Sequence, residues 1–228
     1  MASATDNNSR SMCKAMPPEP TLRRLPWYLA YVSTLRSRNI EHVSSTQISR
    51  DLNVDASQIV KDLSFLSIKG KTRIGYNVAD MENSLVDFLG FKRCHRAVIV
   101  GVGSLGAALL ADTGLSRYGL NIVAAFDTCE GLIGTEKSGV RIHDVSLMDR
   151  VCRECEAEIG IITVPADMAQ PTADRLVGAG IKALWNFTPF RLLAPAPGIV
   201  IQNISIYAHL AVMYNRLDCM KGGSADTK

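Results

Sequence analysis

The sequence has no run of about 18 or more uninterrupted apolar residues, the length that a membrane-spanning helix needs. Its first twenty residues are polar and lack the apolar stretch of a secretory signal peptide. These two absences predict a cytoplasmic protein that does not enter a membrane. We expect the polar residues 1–20 and 221–228 to form flexible tails.

Groups suited to catalysis or metal binding are also few. None of the four histidines follows a predicted strand at the edge where a ligand would bind, so the sequence does not indicate an enzyme. The six cysteines are scattered in a chain without an export signal, which favours free thiols. Cys152 and Cys155 form a Cys-x-x-Cys motif without the second pair of a zinc ribbon. We interpret them as small residues on one helix face and expect no metal site.

Charge is distributed unevenly along the 228 residues, a length that accommodates two domains. The net charge is +3, yet residues 21–76 contain nine lysines and arginines against four acidic residues, which gives this segment +5 and leaves −2 for the remainder. Such an asymmetry predicts that one part of the chain meets a polyanion. A basic surface that meets only solvent would have the same composition.

Three helices are predicted in the basic segment. The first has an apolar face with steps of three and four residues, and Pro26 is placed near its first turns, where a missing N–H costs least. A second helix begins at Ser44, which forms a capping box with Gln47, and a third begins at Asp55. Asp62 is assigned to the outer face of the third helix. Two short helices joined by a tight turn have the spacing of a helix-turn-helix.

The outer face of this motif carries side chains that suit DNA. Glutamine can form paired hydrogen bonds with adenine, lysine reaches guanine or phosphate, and serine reaches phosphate oxygens. A basic stretch with two glycines follows and predicts a wing that lies along the DNA backbone. The candidate DNA-binding residues are Ser44, Ser45, Ser57, Gln58, Lys61, Lys69, Gly70, Lys71 and Arg73. The alternative is a helical domain used for dimerisation or for packing on its neighbour.

After residue 96, the basic helical pattern gives way to apolar runs and a glycine motif. Residues 97–100 form an apolar run without alternation, as in a strand that is buried on both faces. A Gly-x-Gly-x-x-Gly motif follows directly and leads into a helix-forming segment, the setting in which this motif holds a pyrophosphate at a helix N-terminus. The candidate residues of the loop are Gly101, Val102, Gly103, Ser104, Leu105 and Gly106.

A second buried strand ends at Asp127, 21 residues after Gly106. A carboxylate in this place bonds the ribose hydroxyls of an adenosine and repels a 2′-phosphate, so we expect NAD(H) rather than NADP(H). Further strands and helices alternate and predict an α/β fold with a parallel Rossmann-type sheet. Ligands bind beyond the carboxyl ends of such strands. The residues expected on the nicotinamide side are Thr163, Val164, Pro165, Asn186 and Phe187.

Other functions are compatible with a Rossmann fold. The domain could bind coenzyme A, although the negative charge of Asp127 would repel the 3′-phosphate of that ligand. It could also have lost its ligand. No residue indicates a dehydrogenase, because the predicted cleft lacks a general acid or base.

The last predicted element is an amphipathic helix over residues 203–220. Its apolar face is formed by Ile206, Leu210, Met213 and Leu217. Such a helix requires a partner surface, most simply a second copy of the chain. A two-fold homodimer would also match a palindromic site in double-stranded DNA.

Taken together, the motifs resemble the Rex family of redox-sensing transcriptional repressors. The resemblance covers nearly all of residues 21–217, through TLRRLP at 21–26, KDLS at 61–64, GY at 75–76, AAFD at 124–127, TVPA at 163–166, AGIK at 179–182 and NF at 186–187. It implies a homodimer with exchanged C-terminal helices, which binds AT-rich palindromes and leaves them when NADH replaces NAD+. We therefore divide the chain into a winged helix at 21–80, a Rossmann domain at 81–202 and a dimerisation helix at 203–220.

Several positions depart from the family's pattern. In the recognition helix and wing, an arginine, a phenylalanine, a glycine, an aromatic residue and a glycine are replaced by Val60, Leu66, Ser67, Lys69 and Arg73. The operator preference is therefore expected to differ. The family commonly pairs a tyrosine on the helix after the glycine loop with an aspartate at the start of the partner's C-terminal helix, or with an arginine of the first helix, and a phenylalanine packs near the nicotinamide. At the tyrosine, aspartate, arginine and phenylalanine positions, this chain has Asp112, Ser205, Ala30 and Ile206. We expect an Asp112–Ser205 hydrogen bond with reversed polarity, a relative that binds DNA and nucleotide without redox sensing, or one that reads a different ligand.

Overall fold

The computed structural model describes residues 17–66 and 68–222, so most of the tails predicted at residues 1–20 and 221–228 lies outside it. The chain divides between Lys92 and Arg93 into two compact units. The first unit consists of α1 (Glu19–Ser37), β1 (His42–Val43), α2 (Ser45–Leu52), α3 (Ala56–Leu63), β2 (Tyr76–Asn77) and α4 (Val78–Phe88). No helix in the described ranges is long and apolar enough to cross a membrane.

Helix α1 begins earlier than the sequence predicts. It starts at Glu19, inside the predicted tail, with a proline in its first turn, where the ring is tolerated. Pro26 consequently lies in the helix interior and not near the first turns, which corrects the prediction. The apolar spacing is confirmed, because Leu25, Leu29 and Val32 are buried.

The two short helices have the caps that the sequence predicts. The Ser44 hydroxyl accepts the backbone N–H of Gln47 at 3.1 Å and opens α2. The Asp55 carboxylate accepts the backbone N–H groups of Ser57 at 2.8 Å and Gln58 at 3.3 Å and opens α3. Between them Asn53 has a φ of +52°, a left-handed conformation that asparagine tolerates well and that ends α2. These caps position the helix-turn-helix.

The boundary of the first unit lies beyond the predicted residue 80. Helix α4 packs against α1, and its Val78, Met81 and Leu85 are fully buried with Tyr28 and Ile59 in one core. An amphipathic helix belongs to the unit that buries its apolar face. The first unit therefore extends to Lys92.

The second unit is a seven-stranded sheet with helices on both faces. Its strands are β3 (His95–Val100), β4 (Leu120–Asp127), β5 (Glu136–Lys137), β6 (Val140–Asp144), β7 (Ile159–Ile162), β8 (Ala183–Asn186) and β9 (Val200–Asn203). The helices are α5 (Ser104–Ala111), α6 (Thr113–Arg117), α7 (Met148–Glu154), α8 (Ala169–Gly178) and α9 (Ile206–Gly222). Short 3-10 turns cover Val145–Leu147 and Ala166–Met168.

The strand order is β5-β6-β4-β3-β7-β8-β9, with every pair parallel except β5 with β6. The six parallel strands have the order of a dinucleotide-binding Rossmann sheet, which confirms the predicted fold. Alternate residues of β3 enter different cores, Val98 on one face and Ala97 and Ile99 on the other. The central strand is thus buried on both sides, as its unbroken apolar run predicts.

The strand register places the candidate residues at one edge. Val100 at the end of β3 pairs with Phe126 of β4 and with Ile162 of β7. The residues that follow these strands therefore emerge together, which brings Gly101, Asp127 and Thr163 to the carboxyl edge of the sheet. The crevice at this edge is the place where open α/β sheets bind ligands.

Two elements differ from the sequence-based assignment. The hairpin of β5 and β6 was not predicted, although Ser138 and Gly139 have φ values of +52° and +77°, which suit a two-residue hairpin turn. The final helix starts at Ile206, not at residue 203, because Asn203 ends β9 and pairs with Asn186 of β8.

Candidate cofactor cleft and nucleic-acid interface

The glycine loop connects β3 to α5 through two positions that exclude a side chain. Gly101 has a φ of +93°, and a Cβ there would lie 2.8 Å from the carbonyl oxygen of Thr163. A Cβ on Gly106 would lie 2.0 Å from the carbonyl oxygen of Gly101. Both contacts are with backbone, which cannot give way easily. These two glycines therefore set the tight turn and the close approach of helix to strand.

Gly103 differs from its two neighbours in the motif. It is exposed and precedes α5, and a Cβ built on it meets no protein atom within 4 Å. The space in front of the α5 N-terminus is therefore open, and the partial positive charge of a helix N-terminus favours an anion there. The loop fits a pyrophosphate at this point.

The carboxylate of Asp127 is held beside the loop by two backbone donors. Its Oδ2 accepts the N–H of Val102 at 2.6 Å, and its Oδ1 accepts the N–H of Cys129 at 2.9 Å. Each carboxylate oxygen retains further acceptor capacity for ribose hydroxyl donors. Val102 itself is buried, so it supports Asp127 instead of lining the cleft.

A cavity of about 710 Å³ lies at this edge, within the size range of cofactor sites. The predicted residues that line it are Gly101, Gly103, Asp127, Thr163, Val164 and Pro165. The Thr163 hydroxyl donates to the carbonyl oxygen of Gly101 at 2.7 Å and ties the two loops together. Ser104 and Leu105 are exposed in the first turn of α5 and do not line the cavity. The sequence motifs do not indicate the other lining residues, which are Val100, Thr128, Val145, Met148, Met168, Pro171, Thr172 and Arg175.

Arg175 is the one cation among the residues that line this cavity. Its Nη2 donates to the carbonyl oxygen of Ser146 at 2.9 Å and to Oδ2 of Asp149 at 3.3 Å. The guanidinium group is thereby held on the side of the cleft that also carries Met148 and Thr172. No local motif marks Arg175, since only the fold brings α8 beside the turn that precedes α7.

Asn186 and Phe187, which were expected on the nicotinamide side, are not among the residues that line this cavity. Asn186 is fully buried, and its Nδ2 donates to the carbonyl oxygen of Phe190 at 2.6 Å and to Oδ1 of Asn203 at 2.8 Å. Phe187 packs on Trp185 with ring centroids 4.7 Å apart. The amide of Asn186 is thus used to order the loop after β8.

The four altered switch positions lie at helix ends or on exposed faces. Asp112 separates α5 from α6, and its Oδ1 accepts the N–H of Gly114 at 2.6 Å. The Ser205 hydroxyl accepts the N–H of Ala208 at 3.1 Å at the start of α9. Ala30 on α1 and Ile206 on α9 are exposed. Within one chain, Asp112 and Ser205 each cap a helix.

The cysteine pair is unsuited to redox chemistry. Cys152 is 2% exposed and packs in the core of the second unit, where burial raises the pKa of its thiol to about 12. Burial also raises the pKa of Cys155. The reactive thiolate form is therefore disfavoured in both residues. Over the described residues, no group of three or more metal-ligating side chains is present.

Most candidate DNA-binding side chains are accessible on the first unit. Ser44, Ser45 and Gln58 are half-buried, and the exposed members are Ser57, Lys61, Lys69, Gly70, Lys71 and Arg73. The Ser57 hydroxyl donates to Asp55 at 2.5 Å. A contact from Ser57 to a phosphate therefore requires that hydrogen bond to break.

The wing is a tight loop closed by Lys71 and Gly75. Two backbone hydrogen bonds of 2.8 Å join these residues. Gly75 has a φ of +93°, and a Cβ on it would lie 2.3 Å from the carbonyl oxygen of Val43. Arg73 at the tip has a φ of +67°, a region that glycine occupies without strain and arginine does not. The loop therefore presents a basic side chain at a strained position.

Asp62 is buried, which contradicts its assignment to the outer face of α3. It is 0% exposed and lies against α1. Its carboxylate accepts hydrogen bonds from Thr21 at 2.9 Å, Arg24 at 2.6 and 2.8 Å, Tyr28 at 2.8 Å and Gln58 at 2.8 Å. The cause is helical spacing, because Asp62 is three residues after Ile59 and so shares its inner face.

This network makes the first unit sensitive to acid. Burial opposes ionisation of Asp62, but the hydrogen bonds from Arg24, Tyr28, Gln58 and Thr21 outweigh it and lower the pKa of the carboxyl group from 3.8 to about 2. Because the folded pKa lies below the unfolded one, the stabilisation is complete above about pH 4 and is lost as the pH falls toward 2. Hydrogen exchange of α1 and α3 is expected to show this loss, and the variant Asp62→Asn to lack it. Identical pH profiles would contradict the assignment.

Two protein-family models match the chain. The model described as "CoA binding domain" matches residues 92–190. The model described as "Putative DNA-binding protein N-terminus" matches residues 18–64. The two matches fall in the second and first compact units.

Curated relatives named redox-sensing transcriptional repressor Rex match over most of the chain. The protein from Bacteroides fragilis is 54% identical over 201 residues, which cover 88% of this chain and 91% of that protein. The protein from Treponema denticola is 38% identical over 202 residues, which cover 88% of this chain and 96% of that protein.

Three solved structures of the Rex-family repressor RSP have the same fold over nearly the whole chain. The complex of RSP with β-NAD+ and operator DNA has a TM-score of 0.85 and 33% identity, and covers 94% of this chain and 100% of that chain. The complex of RSP with β-NADH has a TM-score of 0.82 and 32% identity, and covers 92% of this chain and 98% of that chain.

Proposed function

This chain belongs to the Rex family of redox-sensing transcriptional repressors, and we propose that it acts as a DNA-bound homodimer that NADH releases from its operator. One observation carries the proposal. A single chain combines a helix-turn-helix with a basic wing and a Rossmann cleft whose glycine loop lies beside Asp127. RSP, which shares this architecture, has been solved with NAD+ and operator DNA and also with NADH.

The polar groups and the open space of the cleft fit NAD(H). The open space at Gly103 accepts the pyrophosphate, and the Asp127 carboxylate accepts hydrogen bonds from the adenosine ribose hydroxyls. A 2′-phosphate or the 3′-phosphate of coenzyme A would lie close to that negative charge. When NAD(H) is bound, its nicotinamide is either oxidised or reduced, and this redox state is the signal. The protein's part is to hold the dinucleotide and to favour one dimer arrangement for each form.

A ligand panel tests this cofactor assignment. NADH is expected to raise the melting temperature most, because a ligand that binds the folded state stabilises it in proportion to its affinity. NADPH and coenzyme A are expected to give small shifts. A larger shift with coenzyme A would contradict the proposal and favour a coenzyme A-binding module, the class named by the family model for residues 92–190.

We propose a regulator and not a dehydrogenase. The residues that line the described cleft include no histidine, lysine, tyrosine or cysteine, and the Asp127 carboxylate is assigned to the adenosine ribose, away from the nicotinamide. A proton donor or acceptor for hydride transfer to a substrate is therefore missing from this surface. Action on DNA agrees with a cytoplasmic location.

A second copy of the chain is proposed to cover α9. This helix exposes large apolar side chains along its length, namely Ile206, Tyr207, Val212, Met213, Tyr214 and Leu217. Exposed apolar surface of this extent is typical of an interface. We retain residues 203–220 as the dimerisation segment, with its helical part beginning at Ile206. Light scattering of the purified protein measures the expected dimer directly.

Ser205 is proposed to couple the cofactor to the dimer through Asp112 of the other copy. Its hydroxyl proton can be donated to that carboxylate while its oxygen still caps α9. The variant Ser205→Ala is expected to reduce NADH-dependent release of DNA, and Ser205→Thr to preserve it, because threonine keeps both the hydroxyl and the cap. The double variant Asp112→Tyr/Ser205→Asp, which introduces the pair common in the family, is expected to respond strongly. An unchanged response in Ser205→Ala would exclude this contact.

Arg175 is proposed to contact the adenosine half of the cofactor. The substitution Arg175→Ala is expected to weaken NADH binding by about tenfold, the size of a charge-assisted hydrogen bond or a stacked guanidinium. Binding of reduced nicotinamide mononucleotide, which lacks the adenosine, should not change. Titrations followed by calorimetry compare the two ligands. Arg150→Ala serves as control, since Arg150 pairs with Glu154 on an exposed helix face. Equal weakening of both ligands would contradict the placement.

A further inference from the structure

The side-chain amide of Gln58 is held in one orientation. Its Nε2 donates to Oδ1 of Asp62 at 2.8 Å, one helical turn further along α3. Ser57 and Lys61, which are exposed on the same helix, flank it on the surface. Gln58 itself is half-buried, so part of the residue remains accessible.

The chemistry of Asp62 determines which amide atom faces it. The carboxylate is fully buried and receives Arg24, Tyr28 and Thr21 as donors at 2.6 to 2.9 Å. With the guanidinium group of Arg24 against it, the carboxylate is ionised and offers only acceptors. If the amide rotated by a half-turn, Oε1 of Gln58 would face a carboxylate oxygen without a proton between them. The buried network therefore fixes the nitrogen inward.

The side-chain oxygen of Gln58, Oε1, must then point away from Asp62. Oε1 and Nε2 diverge from the same carbon, so an amide that turns its nitrogen to Asp62 turns its oxygen away from it. Oε1 is an acceptor with two lone pairs, and no partner for it is recorded among the described residues. In the major groove, adenine and cytosine present an exocyclic amine, whereas guanine and thymine present a keto oxygen.

We propose that Gln58 selects a base with an exocyclic amine, adenine or cytosine, because Asp62 leaves its oxygen as the contacting atom. This inference rests on the proposed DNA-binding function. The second proton of Nε2 favours adenine where it also reaches N7. Thr21, Arg24, Tyr28 and Asp62 act as positioning residues, which set the polarity of Gln58 from inside the protein.

Selection from a randomised double-stranded DNA library tests the proposal. The full-length wild type is expected to enrich a palindrome in which one base pair of each half-site is read by Gln58. At that pair, an analogue without the exocyclic amine should weaken binding by about five- to 100-fold more than an analogue without the keto oxygen, and this difference is the preference that Gln58 confers. Gln58→Met, of similar size but without an acceptor, should lose the preference at that position alone. Gln58→Glu cannot donate to Asp62, and repulsion between the two carboxylates turns its acceptors outward, so it should keep the preference. Asp62→Asn frees the amide to rotate, so its nitrogen can also donate to the keto oxygen and the preference should fall.

The outcomes separate this inference from the function on which it rests. If the wild type enriches no sequence, the proposed function fails and the inference fails with it. If the wild type enriches a palindrome in which Gln58→Met changes no position, or in which loss of the keto oxygen and not of the amine weakens the Gln58-dependent contact, the inference alone is overturned. If Asp62→Asn unfolds, the comparison of Gln58→Met with Gln58→Glu still shows whether an acceptor at residue 58 confers the preference.

Discussion

The substitution Gly103→Val is expected to weaken NADH binding by about 100-fold or more while the protein stays folded. A valine side chain would occupy the open space in front of α5, where a Cβ meets no protein atom within 4 Å. The backbone of Gly103 has φ −67° and ψ −165°, which valine accepts. The cost to folding is about 1 kcal/mol, because valine is a poor N-cap. The valine side chain would clash with the bound pyrophosphate. A loss of about 3 kcal/mol in the free energy of NADH binding corresponds to the expected 100-fold weakening.

Calorimetric titration and thermal unfolding together measure this result. Gly178→Ala is the matched control, since that glycine is exposed near the end of α8 and its Cβ also meets nothing within 4 Å. It should bind NADH normally. Gly106→Ala is expected to lose stability instead, because its Cβ would lie 2.0 Å from a backbone oxygen. Normal NADH binding by Gly103→Val would show that the pyrophosphate does not lie at this loop.

The substitution Asp62→Ala is expected to destabilise the first unit by about 3 to 5 kcal/mol, the cost of leaving one partner of a buried ion pair uncompensated. Arg24, which is 21% exposed in its side chain, would lose its carboxylate, and the buried hydroxyl of Tyr28 would lose its acceptor. Helix α3 would then be poorly anchored to α1. DNA binding should therefore fail, whereas NADH binding by the second unit should persist.

Hydrogen exchange resolved by peptide measures the two units separately. Protection of α1 and α3 should fall strongly in Asp62→Ala, and protection of β3 and β7 should be unchanged. Glu19→Ala is the control, because it removes the exposed ion pair of Glu19 with Arg23, which is expected to contribute little. Retained protection of α3, or an equal loss in the control, would contradict the role assigned to the network.

Local patterns were sufficient to predict the parts of the site that are contiguous in sequence. The buried strand β3, the glycine loop and the strand that ends at Asp127 each have a short signature, and the caps at Ser44 and Asp55 depend on neighbours within three residues. The sheet order then follows from rules that apply to the whole fold class. For these features the sequence and the structure agree.

The features that the sequence did not predict depend on distant partners. Arg24 and Asp62 are 38 residues apart, although the spacing of Asp62 from Ile59 already indicated an inward position. Arg175 reaches the cleft only because α8 lies beside the turn before α7. Asn186 follows a strand of the right kind, yet its amide is taken by Phe190 and Asn203. The sequence shows which residues carry suitable chemical groups, but the tertiary packing determines which partner each polar group meets.

Coupling between the cofactor and DNA is the central claim, and a binding titration tests it most directly. The measurement is fluorescence anisotropy of a palindromic duplex, obtained by selection with this protein, in the presence of NAD+ or NADH. We expect the duplex to stay bound with NAD+ and to be released by NADH, and Gly103→Val to keep it bound in both. If the wild type binds NADH and yet holds the duplex equally well with either cofactor, the chain binds nucleotide and DNA without redox sensing, and the claim is wrong.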